Sequence, residues 1–319
     1  MLTQGAGGNT SVKDGDWLWV KASGAWLEHA EEREIFVPAP VATILAGLSA
    51  NEDRKAEWTT PGGRLLRSSI ETSLHAVVPD RWVFHLHTVA SMLWSAIDGG
   101  RTAVADRLQG LPWEWVRYDR PGLPLTRAIV ERLGSKPQVL LLENHGLVVS
   151  GASCPEVDEL LWDTEQRLAL PARPVPAVHL EALRAAAPAG YHPALYADAH
   201  WCATDSDSFE AATMGMPAPD FAVFLGARLV GVRSGQSIAA AADLYRREFG
   251  LEPAVFLVEG HGALVRDSVG DNGEQMLEAL GRMLVRLPEN AKLTYLPIPE
   301  ILGLLDWDAE KYRQSLIKE

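Results

Sequence analysis

Three histidines and a glutamate in the first half of the chain have the types and spacing of a metal site. His85 and His87 stand one residue apart in RWVFHLHT, a stretch with strand composition. Strand side chains alternate, so both imidazoles point to one face. A third histidine, His145, ends the apolar run of VLLLENHGLVV, and Glu71 lies upstream in SIETSLH, beside Ser68 and Ser69. Three neutral imidazoles that leave one position open are a ligand set of catalytic zinc. A lone His-x-His in a strand is more often incidental. The metal reading rests on its company: the carboxylate, the paired serines and the third histidine. A carboxylate near such a metal can move a proton at a carbon, and the metal can stabilise an enediolate as a Lewis acid, with no lysine Schiff base.

The elements that must position these groups follow from local patterns. Gly5, Gly7 and Gly8 lead into Asn9, Thr10 and Ser11. A dinucleotide fingerprint follows a strand and opens a helix, and neither condition is met. A loop rich in backbone N–H groups and hydroxyls is instead a natural anion cradle. SVK and WLWVK flank Asp14, Gly15 and Asp16 and read as a hairpin that ends at Ser23 and Gly24. Residues 35–48 read as a strand and short helix, and 49–63 as a polar loop. Ser69 is expected to cap a helix with Glu71 in its first turn, where the helix dipole favours an acid. His75, four residues on, is expected at the surface. RWVFHLHT and WEWVRY read as strands, VASMLWSAID and PLTRAIVERLG as helices, the latter closed by Gly134. VLLL and LVVSG are strands about the turn that carries His145, and residues 155–170 form a periodic helix.

Composition bounds the function. The chain has 319 residues, of which 47% are hydrophobic and 22% charged, as in a soluble globular protein. No apolar run reaches the length of a membrane span, and the polar, glycine-rich start is not a signal peptide. Cys154 and Cys202 form no Cys-x-x-Cys pair and point to a reducing, cytoplasmic setting. A net charge of −13 argues against nonspecific nucleic-acid binding.

GGNTSVK, WVKASG, SIETSLH, HLHT and ENHGLVVSG occur in the order and rough spacing of the class II aldolase/adducin family, which residues 3–170 resemble. The N-terminal stretch is especially similar to the aldolase part of bifunctional rhamnulose-phosphate aldolase/dehydrogenases. The resemblance implies an α/β/α domain with a central, mainly antiparallel sheet over residues 1–172, followed by a smaller α/β domain over 173–319. It implies zinc or another divalent metal on His85, His87 and His145, and Glu71 as the general acid/base. Asn9, Ser23, Gly24 and Ser69 match the positions that hold the substrate phosphate. The expected activity is cleavage of a ketose or ketose phosphate in a homo-oligomer. Epimerisation, dehydration or decarboxylation on the same scaffold, and a noncatalytic adducin-like interaction domain, stay open. The family usually has a helix before the glycine loop, whereas here the chain begins at that loop. A group from a neighbouring subunit often completes the family's site, and no counterpart is evident.

Residues 171–193 are rich in proline and alanine and read as a boundary. Beyond them FAVFLGARLVGV suggests two short strands about a glycine turn, SIAAAADLYRREFG a helix, and 274–287 another helix. VFLVEGHGALV echoes VLLLENHGLVV, so a divergent duplicate is conceivable. No His-x-His accompanies His261, which therefore reads as a turn residue. His192, His200 and Asp205 are candidates to line a cleft between the two parts, though scattered surface polarity explains them equally well.

Overall fold

The structure, a computed structural model, describes residues 1–315, with side chains through residue 312. Seven strands form the main sheet: β1 (Asn9–Asp14), β2 (Trp17–Lys21), β3 (Phe36–Pro40), β6 (Trp82–Leu86), β7 (Trp113–Val116), β8 (Val139–Leu142) and β9 (Gly146–Gly151). Their order is β3-β2-β1-β6-β9-β8-β7. Every pairing is antiparallel except β7 with β8. β4 (Glu57–Thr59) and β5 (Leu65–Arg67) make a separate hairpin, so the stretch 49–63, expected as a loop, contains one of its strands.

Period-two alternation gives this sheet two apolar faces. Leu140 and Leu142 point to one side, with Leu74 from the helix Thr72–Val77 and Leu125 and Ile129 from the helix Leu123–Val130. Val139 and Leu141 point to the other side, with Leu93 from Val89–Ala96 and Leu161 from Cys154–Leu168. Helices thus cover both faces, as in the expected α/β/α arrangement. The helix Leu123–Val130 stops short of Gly134, because Glu131 caps it and a 3-10 turn follows.

The second part of the chain adds β10 (Tyr191–Pro193), β11 (Val230–Val232), β12 (Val255–Val258) and β13 (Gly262–Arg266), in the order β10-β13-β12-β11. Met276, Leu277, Leu280 and Leu284 of the helix Gly270–Leu284 join the same apolar cluster as Leu141 and Leu147 of the first sheet. Phe221 to Leu225 are helical, within Pro219–Leu225, and not a strand. Every residue of that helix is buried, so no polar face marks its period, and a short apolar run cannot be assigned by periodicity. Pro219 in its first turn fixes the entry, and Gly226, at φ +87°, ends it.

Candidate metal centre

β6 and its first residue beyond deliver two imidazoles to one face. His85 lies within β6, and His87 follows its end with the ring still on the same side: the two Nε2 atoms are 3.1 Å apart. His145 arrives from the turn between β8 and β9. Asn144 holds that turn in the left-handed region, at φ +50°, and donates to the carbonyls of Pro217 (2.9 Å) and Thr294 (2.8 Å). The three ring centroids stand 4.9 to 5.1 Å from one another. Gly146 is required by the crowding: a Cβ there would lie 2.6 Å from the carbonyl of Leu86 and 3.0 Å from the ring of His87.

Glu71 bridges the cluster. Its Oε2 is 3.3 Å from His85 Nε2 and its Oε1 3.3 Å from His145 Nε2. It stands at the N-cap of the helix Thr72–Val77, one position before the first turn, and makes no capping bond with its side chain. Ser69 lies further out and does not cap that helix; its Oγ accepts from the Glu71 N–H at 3.2 Å and from Asn9 Nδ2 at 2.9 Å. The reason is the bridge Ala22 to Ser68, which keeps the chain extended up to the site.

The outward ring nitrogens are anchored. His85 Nδ1 donates to the carbonyl of Leu147 at 3.0 Å, and His87 Nδ1 stands 3.0 Å from Asp220 Oδ2. Such partners fix the tautomer and aim Nε2 inward. Asp220 was not foreseen. It sits in the first turn of the helix misread as a strand, and only the Pro-Asp start of that helix, PDFAVFL, hinted at it. Lys21, also missed, is buried and donates to the carbonyls of Ala6 (3.0 Å) and Ala25 (2.6 Å), pinning the glycine loop to the end of β2. Alternation in WLWVK puts it on the face of the exposed Trp17 and Trp19, so nothing local signalled its burial.

Burial pushes the Glu71 carboxyl up, but the imidazoles, His85 first, outweigh it and hold it below the usual carboxylate range. Burial disfavours charge on His85, yet Glu71 raises it overall. Burial lowers His145 to about 3. His75 is wholly buried and not at the surface; burial and His85 lower it to about 3, and its Nδ1 meets Ser11 Oγ at 2.8 Å.

The donor set fits a metal ion. Ligand atoms of His85, His87 and His145 all lie within 4.8 Å of one another. Two imidazoles on one tetrahedral ion at about 2.1 Å each are about 3.4 Å apart. Glu71 Oε1 and His145 Nδ1 are buried without a hydrogen-bond partner among the described residues. A cation would satisfy the first, and the carboxylates of Glu71 and Asp220 offset its charge.

Asn9, Ser23, Gly24 and Ser69 line one small cavity with Glu71, His87, His145, Asp220 and Glu310, so the sequence-derived residues do converge. The polar candidates of the second part do not. His192 binds Asp267 and Glu274, His200 the carbonyl of Ala194, and Asp205 caps a helix and pairs with Arg173.

The Class II Aldolase and Adducin N-terminal domain family matches residues 1–170. The chain belongs to this family. It is 39% identical over 87 residues to the uncharacterized oxidoreductase YuxG of Bacillus subtilis (strain 168); that stretch is 27% of this chain and 12% of the relative. Among solved structures it is similar to an N-terminal class II aldolase domain from Thermoplasma acidophilum, with TM-score 0.42 and 23% identity over 51% of this chain and 82% of the other. A similarity to l-fuculose-1-phosphate aldolase from Thermus thermophilus has TM-score 0.35 and 18% identity, over 52% and 82% of the two chains. No helix among the described residues is long and apolar enough to cross a membrane.

Proposed function

We propose that the protein is a zinc-dependent lyase that cleaves, or reversibly joins, a ketose or ketose phosphate. The observation that carries this reading is one buried cluster: Glu71 meets the Nε2 atoms of His85 and His145, and His87 Nε2 lies 3.1 Å from that of His85. Three histidines and an open position are the donor set that zinc takes in catalytic sites. His85, His87 and His145 are the proposed ligands. When bound, the divalent ion supplies Lewis-acid stabilisation of negative charge on sugar oxygens.

The chain's own residues handle the rest. Glu71 begins ionised, so in the joining direction it takes the proton from carbon and passes it to the new hydroxyl oxygen, and in cleavage it takes that hydroxyl proton and returns it to carbon. Asp220 orients His87, and the Leu147 carbonyl orients His85. Asn9, Ser23, Gly24 and Ser69 are proposed to grip the anionic end of the substrate through hydroxyl, amide and backbone donors. Residues 1–172 are proposed as the catalytic domain and 173–319 as a smaller domain that supports it, in a cytoplasmic homo-oligomer. A noncatalytic scaffold is disfavoured on energetic grounds, since burying this many ionisable groups costs several kcal/mol without a ligand to offset it.

Metal content per chain, measured on protein purified without added metal, tests the reading, followed by aldehyde release from a panel of ketoses and ketose phosphates. About one equivalent of zinc with turnover of any panel member supports it. Absence of metal after purification and after zinc addition sinks it.

A further inference from the structure

The glycine loop is held from the second part of the chain. The Gly5 N–H donates to Gln275 Oε1 and the Ala6 N–H to Asn272 Oδ1, each at 2.7 Å. Its other bonds stay within the first part. The Gly7 N–H donates to the Gln4 carbonyl at 2.8 Å, Gln4 Nε2 to the His87 carbonyl at 2.7 Å, and Lys21 Nζ to the Ala6 carbonyl at 3.0 Å. Gly5 is at φ +47°, and a Cβ there would overlap Asn272 Oδ1, so the close approach requires glycine. Ala6, Gly8 and Asn9 then line the small cavity beside Glu71 and His145.

The two amides are themselves fixed. Asn272 is buried in the first turn of the helix Gly270–Leu284. Gln275 is half-buried, and its Nε2 donates to Asp271 Oδ2 at 3.3 Å, while the Tyr196 hydroxyl donates to Asp271 Oδ1 at 2.8 Å. Asp271 thereby turns the oxygen end of the Gln275 amide toward Gly5. Further along the same helix, Met276, Leu277 and Leu280 pack in one apolar cluster with Leu141 and Leu147, from the strands on either side of His145. One helix therefore sets the position of the loop and of the turn that carries a histidine of the cluster. Glycine backbones lose the most freedom on being fixed, so a loop with three glycines left loose would have to be ordered by its ligand. Ordering it beforehand moves that cost from binding to folding.

We propose that Asn272 and Gln275 are positioning residues: they hold the glycine loop in the shape that presents Gly8 and Asn9 to the cavity, so the second part of the chain sets how tightly the first part holds an anion. The use of the loop as an anion grip rests on the function proposed above. The clamp itself rests on the two hydrogen bonds and the fit at Gly5. It acts on binding and not on the metal, since neither amide bonds a histidine of the cluster among the described residues.

The test compares the full-length protein with Gln275→Ala, Asn272→Ala and the double variant. Hydrogen exchange, read by mass spectrometry, should speed up about tenfold or more over residues 4–9 in the double variant and stay unchanged over Trp82–Leu86. Asn272→Asp keeps an acceptor oxygen and should keep the parent's protection. Inorganic phosphate, titrated by calorimetry in low-salt buffer, should bind the parent saturably and the double variant about tenfold or more weakly, with zinc content equal in both. Gln275→Ala, at a half-buried position, should shift both readouts the same way by a smaller factor, and it carries the test if the double variant does not fold. Unchanged exchange, exchange that rises while phosphate binding stays the same, or a parent that binds no phosphate overturns the proposal. Zinc content on the same samples separates the two readings. Clamp-dependent phosphate binding in protein that takes up no zinc fails the lyase alone, and zinc-loaded protein whose phosphate binding ignores the variants fails the clamp alone.

Discussion

Two hairpins in this molecule share six of eleven residues and do different things. In the first, VLLLENHGLVV, Leu142 pairs with Gly146 and Val139 with Val149. In the second, VFLVEGHGALV, Val258 pairs with Gly262 and Val255 with Val265. The turns match in detail: the His145 N–H bonds the Leu142 carbonyl at 3.1 Å, and the His261 N–H bonds the Val258 carbonyl at 2.9 Å. The middle residue is left-handed in both, Asn144 at φ +50° and Gly260 at +71°. Yet His145 is buried in the cluster with His85 and His87, whereas His261 is exposed with Nδ1 on the carbonyl of Glu259.

The neighbouring strand makes the difference. Three residues after His145, Val148 pairs with His85 across β9 and β6. Three residues after His261, Leu264 pairs with Pro193 across β13 and β10. The same register puts Leu195 where the first sheet has His87. A hairpin can present one imidazole, but a metal needs the strand beside it to supply the others.

Breaking the first copy should have the largest effect. His87→Ala is expected to remove bound metal altogether, read by elemental analysis; full metal content would refute the ligand assignment. Next, Glu71→Gln should keep the metal and lower turnover by about 10²- to 10⁴-fold, and an undiminished rate would exclude proton transfer by Glu71. Asp220→Asn removes the charged acceptor at His87 and is expected to weaken metal binding by about 10- to 100-fold in a chelator competition. At the turn itself, Asn144→Gly keeps the left-handed backbone but loses the bonds to Pro217 and Thr294. It should cost about 1–3 kcal/mol in urea unfolding, whereas no loss would mean those bonds contribute nothing. The smallest effect belongs to the second copy. His261→Ala should leave metal content intact and shift stability by no more than about 0.5 kcal/mol; loss of metal would show that the second hairpin is a working site after all.

The N-terminal motifs were legible because they are local. The hairpin about Gly15, the strand-turn-strand at His145 and the long helix 154–168 each follow from composition over a few residues. The stretch PDFAVFL was not legible, because burial on every side erases the period that separates helix from strand. Its misassignment hid Asp220, 133 positions from the histidine it orients. His75 was misplaced for a related reason. Its spacing from Glu71 said that the two share a helix face, and only the packing of that helix against β1 and β2 says that the face is inside.

By itself, then, the sequence determined which residues could bind a metal, that His85 and His87 share a face, and that family membership extends over the first half. Period-two geometry and turn chemistry act over a few residues and need no partner. The tertiary structure decided that His145 meets the pair, that Glu71 bridges them, that Asp220 and Asn144 tie the second part of the chain to the site, and that Asn272 and Gln275 bond the glycine loop. Those outcomes join residues tens to hundreds of positions apart, and packing between elements, not local propensity, brings them into contact.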